Sequence, residues 1–239
     1  MKVIQQRLPS YALFAALLSA AGLPIYIHAP KFYVDEYGVS LAALGAVLFG
    51  LRLLDVVQDP LLGRISEKLR NHRGIAVGVA CAIMATAMFG LFAVRPYGSP
   101  LIWFGAMLTL VFSAFSFLTI CFYAQGVTKA VQLPGSGHLA LARWRETGAL
   151  LGVCVASVVP ATFGLLMGEP FAGFAFGFIV LAIFATLAMR GEWQATGRVA
   201  STGFGTILRD IIARRLLLIA LVNAAPVAVS STLFLFYVE

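Results

Sequence analysis

Three ionisable residues interrupt a stretch that is otherwise compatible with lipid. The run Leu51-Arg52-Leu53-Leu54-Asp55-Val56-Val57-Gln58-Asp59-Pro60-Leu61-Leu62-Gly63 spaces Arg52, Asp55 and Asp59 by three and four, so a helix carries all three on one face. Leu51, Leu53, Leu54, Val56 and Val57 cover much of the remaining surface. A charge at the middle of a membrane helix costs about 2.5–3.5 kcal/mol even on the lenient insertion scale. The stripe is therefore expected to face a polar cavity or its own members, not lipid. Two carboxylates one turn apart bind a small hard cation through oxygen, or share a proton. Sodium and proton fit the pattern equally. Structural readings stand beside these: an Arg52–Asp55 pair that locks the helix to a neighbour, and an Asp59 that is merely interfacial at the inner end. Because intramembrane carboxylates so often mark ion pathways, Asp55 and Asp59 are the leading candidates for cation work.

Other polar groups lie within apolar runs: Ser19, His28, Ser113, Ser116, Thr119, Gln125, Arg145, Glu146, Thr147 and Asn223. Ser and Thr hydroxyls bond cheaply to helix carbonyls in membranes. Arg145 and Glu146 point about 100° apart on a helix and do not reach one partner together. Arg145 either snorkels to the inner surface or lines a cavity as a ligand for an anion or hydroxyl. His28 reads as an interfacial group. Cys81, Cys121 and Cys154 fall in three different apolar segments with no paired spacing, so they read as small packing residues. No nucleophile elbow, metal motif or phosphate loop accompanies the three histidines. Neither enzymatic chemistry nor a cofactor is expected.

The elements that must position these residues are membrane helices. Of 239 residues, 61% are hydrophobic and 11% charged, against about 25% charged in a soluble domain, so lipid must be the solvent for most of the surface. Seven runs reach the roughly 20 residues needed to span: 11–29, 41–63, 75–94, 101–125, 147–167, 171–189 and 216–238. Pro30, the turn Arg95-Pro96-Tyr97-Gly98-Ser99-Pro100, Pro134-Gly135-Ser136-Gly137 and Gly168-Glu169-Pro170 mark the joins. The first run lacks a basic flank followed by a small-residue cleavage site, so it is expected to remain as a span. The net charge of +7 is distributed as topology and not as a nucleic-acid surface. Fourteen of the 17 Lys and Arg fall on one side of the spans, Lys31 and Arg95 on the other, and Arg52 inside. That bias predicts a cytoplasmic N-terminus in an inner (plasma) membrane. Glycines four apart, at 74/78, 148/152, 164/168 and 173/177, suit close helix packing.

The segment Asp55-Val56-Val57-Gln58-Asp59-Pro60-Leu61-Leu62-Gly63 resembles the Asp-x-x-x-Asp-Pro-x-x-Gly signature of the glycoside–pentoside–hexuronide:cation symporters, the melibiose-permease-like branch of the major facilitator superfamily. The approach Lys31-Phe32-Tyr33…Gly38-Val39-Ser40 fits it too. Gly63, Glu67, Lys68, Arg70 and Arg73 resemble the superfamily's gating loop between the second and third helices, with Glu67 where Asp is usual. The resemblance implies cation binding by Asp55 and Asp59, with Gln58 in place of an Asn and Ser116 in place of a Thr. Substrate contacts fall to Ser19, Thr119, Tyr123 and Arg145, with Arg143 an alternative register. Ser19 and Thr119 replace two sugar-binding acids, and Tyr123 replaces a Trp. The cation machinery is thus better retained than the sugar site.

The implied fold is all-α: a six-helix bundle of two inverted three-helix repeats over residues 1–189, a cytoplasmic linker over 190–215 with an amphipathic Phe204–Ile212 segment, and a seventh span over 216–239. The implied activity is alternating-access symport of a small polar solute such as a sugar or glycoside. The implied partners are a coupling cation, the bilayer and a C-terminal half that the chain lacks. Two alternatives compete: a proton-coupled exporter of amphipathic or lipid-like molecules, and a non-transporting seven-helix sensor or orphan half. A retinal sensor would need a lysine in the last helix, and no lysine follows Lys129.

Overall fold

Glycine and serine between the first two spans show how local chemistry sets the helix ends. Gly38 adopts a left-handed backbone (φ 64°), and its N–H and that of Val39 bond back to the carbonyls of Val34 and Tyr33 at 3.1 and 3.2 Å. That closure suits glycine, which has no Cβ to clash. Two residues on, the Ser40 hydroxyl accepts from the Ala43 N–H at 3.3 Å and caps the next helix.

The computed structural model describes residues 8–23, 28–133, 135–167, 170–193, 209–220 and 222–223. The chain forms two units, Met1–Thr196 and Gly197–Glu239. In the first, the described helices are α1 (Leu8–Leu23), α2 (Ala29–Tyr37), α3 (Leu41–Lys68), α4 (Arg73–Phe92), α5 (Pro100–Gln132), α6 (Gly137–Met167) and α7 (Pro170–Met189). No strand occurs among the described residues. Among the described residues five helices are long and apolar enough to cross a membrane, and α1 is shorter. The chain is an all-α, multi-pass membrane protein.

Several expected boundaries move. Pro30 does not end a helix but opens one, in the first turn of α2, where its missing N–H was unpaired anyway. The helix α3 runs five residues past Gly63, α5 seven past Gln125, and α6 starts ten before Thr147. Basic side chains at the membrane surface continue a helix as well as they make a loop, so charge alone misplaces such ends.

The helix α1 packs chiefly against α6 and α7, α4 against α5 and α7, and α3 against α5. The α1–α6 contact is close enough that a Cβ on Gly148 would overlap the carbonyl of Ala12, and one on Gly152 that of Ala16. Small residues four apart on both helices thus permit backbone contact. The core is formed by Tyr11, Phe14 and Leu17 of α1, Met84, Met88 and Leu91 of α4, and Phe104, Leu108 and Leu118 of α5. At the end of the bundle near α2, Phe92 and Phe171 stack at 5.5 Å and 11°, and the Tyr33 hydroxyl donates to the Leu91 carbonyl at 3.2 Å.

In the second unit a helix covers 211–220, with the Asp210 carboxylate accepting from the Ile212 N–H at 2.9 Å. This helix begins inside the expected linker. Most of the expected seventh span, 224–239, and the Phe204–Leu208 part of the amphipathic segment lie outside the described residues.

Candidate functional site

The polar stripe of α3 meets a polar stripe of α5. Arg52 Nη1 lies 3.5 Å from Asp55 Oδ2, while Gln58 Nε2 donates to Asp55 Oδ1 at 2.7 Å. From α5, Ser113 Oγ donates to Gln58 Oε1 at 2.9 Å, and Ser116 Oγ donates to Asp59 Oδ1 at 2.5 Å. The Arg52 guanidinium sits 5.5 Å above the Phe112 ring. Residues 52, 58 and 59 oppose 112, 113 and 116 in rising order, so α3 and α5 run in the same direction here.

The two carboxylates differ. Asp55 is only 17% exposed at its side chain, with the Arg52 guanidinium beside one oxygen and the Gln58 amide donating to the other. Asp59 is exposed and bonded to a hydroxyl, and no basic side chain among the described residues pairs with it. A carboxylate bonded to a single hydroxyl keeps further lone pairs open to a donor or a cation.

A second polar group lies further along α5. The Arg145 guanidinium stacks over the Tyr123 ring at 4.7 Å, and its Nε and Nη2 donate to Glu146 Oε1 at 3.0 and 2.8 Å. The neighbours Arg145 and Glu146 reach each other rather than a shared third group. Tyr123 and Arg145 line a cleft of about 100 Å³ with Tyr11, Gly126, His138 and Leu141. The Tyr11 hydroxyl on that cleft is buried and has no hydrogen-bond partner among the described residues. Seven residues separate Ser116 from Tyr123, about 10 Å along the helix.

The structure therefore brings Arg52, Asp55, Gln58, Asp59 and Ser116 together, and Tyr123 with Arg145. Ser19 on α1 and Thr119 on α5 do not line the cleft, and the Thr119 hydroxyl is buried with no hydrogen-bond partner among the described residues. The residues of the expected gating loop span a helix end, a short turn and a helix start. Gly63, Glu67 and Lys68 are the last turns of α3, Arg70 belongs to a single 3-10 turn, and Arg73 opens α4. Glu67 and Arg70 pair at 3.6 Å. Arg73 is buried and donates to Gln125 Oε1 at 3.4 Å. The apolar pattern of α3 continues through Leu61, Leu62 and Ile65, which is why the chain stays helical to Lys68. Ser113, which completes the α3–α5 link, stood in the sequence only as one membrane hydroxyl among several. Its spacing of three from Ser116 was the available signal.

A family model described as MFS/sugar transport protein matches residues 10–239. The match agrees with the melibiose-permease-like resemblance carried by Asp55 to Gly63. No curated protein and no solved structure matches the chain.

Proposed function

Since the chain belongs to the MFS/sugar transport family of the major facilitator superfamily, and is therefore part of a membrane transporter of small molecules, we propose that it couples entry of a small polar solute, such as a sugar or glycoside, to a cation. Asp59 is the principal cation or proton ligand. Asp55, Gln58 and Ser116 supply the remaining oxygens, Arg52 balances Asp55, and Tyr123 with Arg145 contacts the solute. No further cofactor is needed. The observation that supports this reading best is Asp59 itself, a carboxylate bonded to the Ser116 hydroxyl with no basic partner among the described residues. The distribution of Lys and Arg supports a cytoplasmic N-terminus in the plasma membrane. Alternating access works between two halves, so the solute pathway needs a second bundle facing this one.

The experiment is thermal unfolding of the detergent-solubilised full-length protein, titrated with sodium against choline and repeated across pH. A cation at ten times its dissociation constant stabilises by about 1.4 kcal/mol, and Asp59→Asn abolishes that response. Uptake of radiolabelled sugars into proteoliposomes then follows the sodium or proton gradient in wild type and not in the variant. A wild-type protein indifferent to both ions, or an Asp59→Asn variant that responds normally, refutes the assignment.

A further inference from the structure

Past the end of α7 the chain turns back under the bundle, and this turn holds the most deeply buried ion pair of the described residues. The Glu192 N–H bonds to the Met189 carbonyl at 2.8 Å, which directs the Glu192 side chain inward. Its Oε2 lies 2.6 Å from Lys129 Nζ on α5, with side-chain exposures of 8% and 7%. The next residue, Trp193, packs its ring against Phe14 of α1 at 5.4 Å, edge to face. Its Cβ lies 3.5 Å from where a Cβ on Gly74 of α4 would stand. One turn before Lys129, Gln125 accepts from the buried Arg73 at the start of α4. Two residues after α7 thus grip three other helices, through one buried charge pair and one indole.

The remaining contacts of α5 give this grip a consequence. The same helix carries Ser113 and Ser116 against α3, Cys121 against Ser66 of α3 at 3.2 Å, and Tyr123 beneath Arg145 of α6. Lys129 lies about 12 Å along α5 from Cys121 and about 20 Å from Ser116. A helix tethered at one end moves as a lever when the tether opens. We propose that Lys129 and Glu192 are a positioning pair for transport: with Trp193 they clasp one end of α5 and so set where Ser113, Ser116 and Tyr123 stand. Neither residue touches solute or cation. The functional half of this statement rests on the reading of α3 and α5 as the coupling site, whereas the clasp itself does not.

A buried pair broken on one side leaves a charge without a partner in a low-dielectric place, which favours local opening. Cys121 is fully buried, so it reports such opening. The test measures N-ethylmaleimide modification of Cys121 by mass spectrometry in the full-length protein, alongside the sodium and pH response of thermal unfolding. Glu192→Gln raises the Cys121 alkylation rate by roughly tenfold or more and weakens the cation response several-fold. The charge-swapped pair K129E/E192K returns both to within roughly threefold of wild type, because the attraction is restored in place. Glu192→Gln with Cys121 as protected as in wild type overturns the clasp. Faster alkylation with an unchanged cation response makes the pair merely structural and overturns the positioning role. Should Glu192→Gln fail to accumulate, the swapped pair decides: a protected Cys121 upholds the proposal, and a protein as labile as the single variant overturns it. Asp59→Asn, run in parallel, keeps Cys121 protected, so loss of the coupling reading is told apart from loss of the clasp.

Discussion

Two glycines on different helices should respond in opposite directions to the same added methyl group. At Gly148 an ideal Cβ overlaps the Ala12 carbonyl of α1, so Gly148→Ala forces α1 and α6 apart along their closest contact. Overpacking of this kind costs about 1–3 kcal/mol. Replacing glycine inside a helix returns about 0.5–1 kcal/mol of backbone entropy. Because the obstacle is backbone and cannot yield, the upper end of the overpacking cost applies and the net loss is about 2–2.5 kcal/mol, which at 2–4 °C per kcal/mol lowers the unfolding midpoint by about 4–10 °C. At Gly78 of α4 the same Cβ meets nothing within 4 Å, so only the entropy gain remains and the midpoint rises by about 1–4 °C. The assay is thermal unfolding of both variants and wild type in one detergent, followed by tryptophan fluorescence. A Gly148→Ala protein as stable as wild type, or two variants shifting the same way, refutes the close α1–α6 contact.

Ser116→Ala removes the hydroxyl that donates to Asp59. The loss of one ligand and one charge-assisted bond, worth about 1.5 kcal/mol, weakens the cation response roughly tenfold, while Ser116→Thr retains it. Equal sodium and pH titrations for alanine and threonine would remove Ser116 from the site. Tyr123→Phe keeps the ring under Arg145 and leaves stability and sugar uptake near wild type. Tyr123→Leu loses a cation–π contact of about 0.5–2 kcal/mol, read as a lower unfolding midpoint and reduced uptake; identical behaviour of the phenylalanine and leucine variants contradicts the stacking.

The α3 stripe was legible because charge in a membrane helix is expensive and a spacing of three and four admits one face. From that alone Arg52, Asp55 and Asp59 were placed together, and the structure pairs the first two at 3.5 Å. The turn ending at Pro100 acts through backbone geometry that proline itself specifies, and Pro100 opens α5. Helix ends beyond the lipid were less legible. Lys129 follows Gln125 by four within Ala124, Val127, Ala130 and Val131, a helical pattern, yet a lysine near the membrane surface also reads as a connector. Its partner Glu192 lies 63 residues away, and no local rule relates the two. Gly148 and Gly152 announced a close contact but not its partner, since Ala12 and Ala16 are chosen by the tertiary fold.

Lipid makes that last distinction general. Inside a bilayer, apolar side chains gain nearly as much from acyl chains as from one another, so burial of apolar area does little to choose which helices are neighbours. The choice falls to backbone contact at small residues and to polar groups that lipid cannot satisfy. In this bundle the two devices are divided between helices. The pair α1 and α6 is joined by small residues on both sides, backbone against backbone. The helix α5 is joined by hydrogen bonds and charge at Ser113, Ser116, Cys121, Gln125 and Lys129. Hydrogen bonds and ion pairs can be exchanged one partner for another, whereas a backbone contact is kept or lost whole. The seam of α1 and α6 is thus set by shape, and the seams of α5 by specific polar partners.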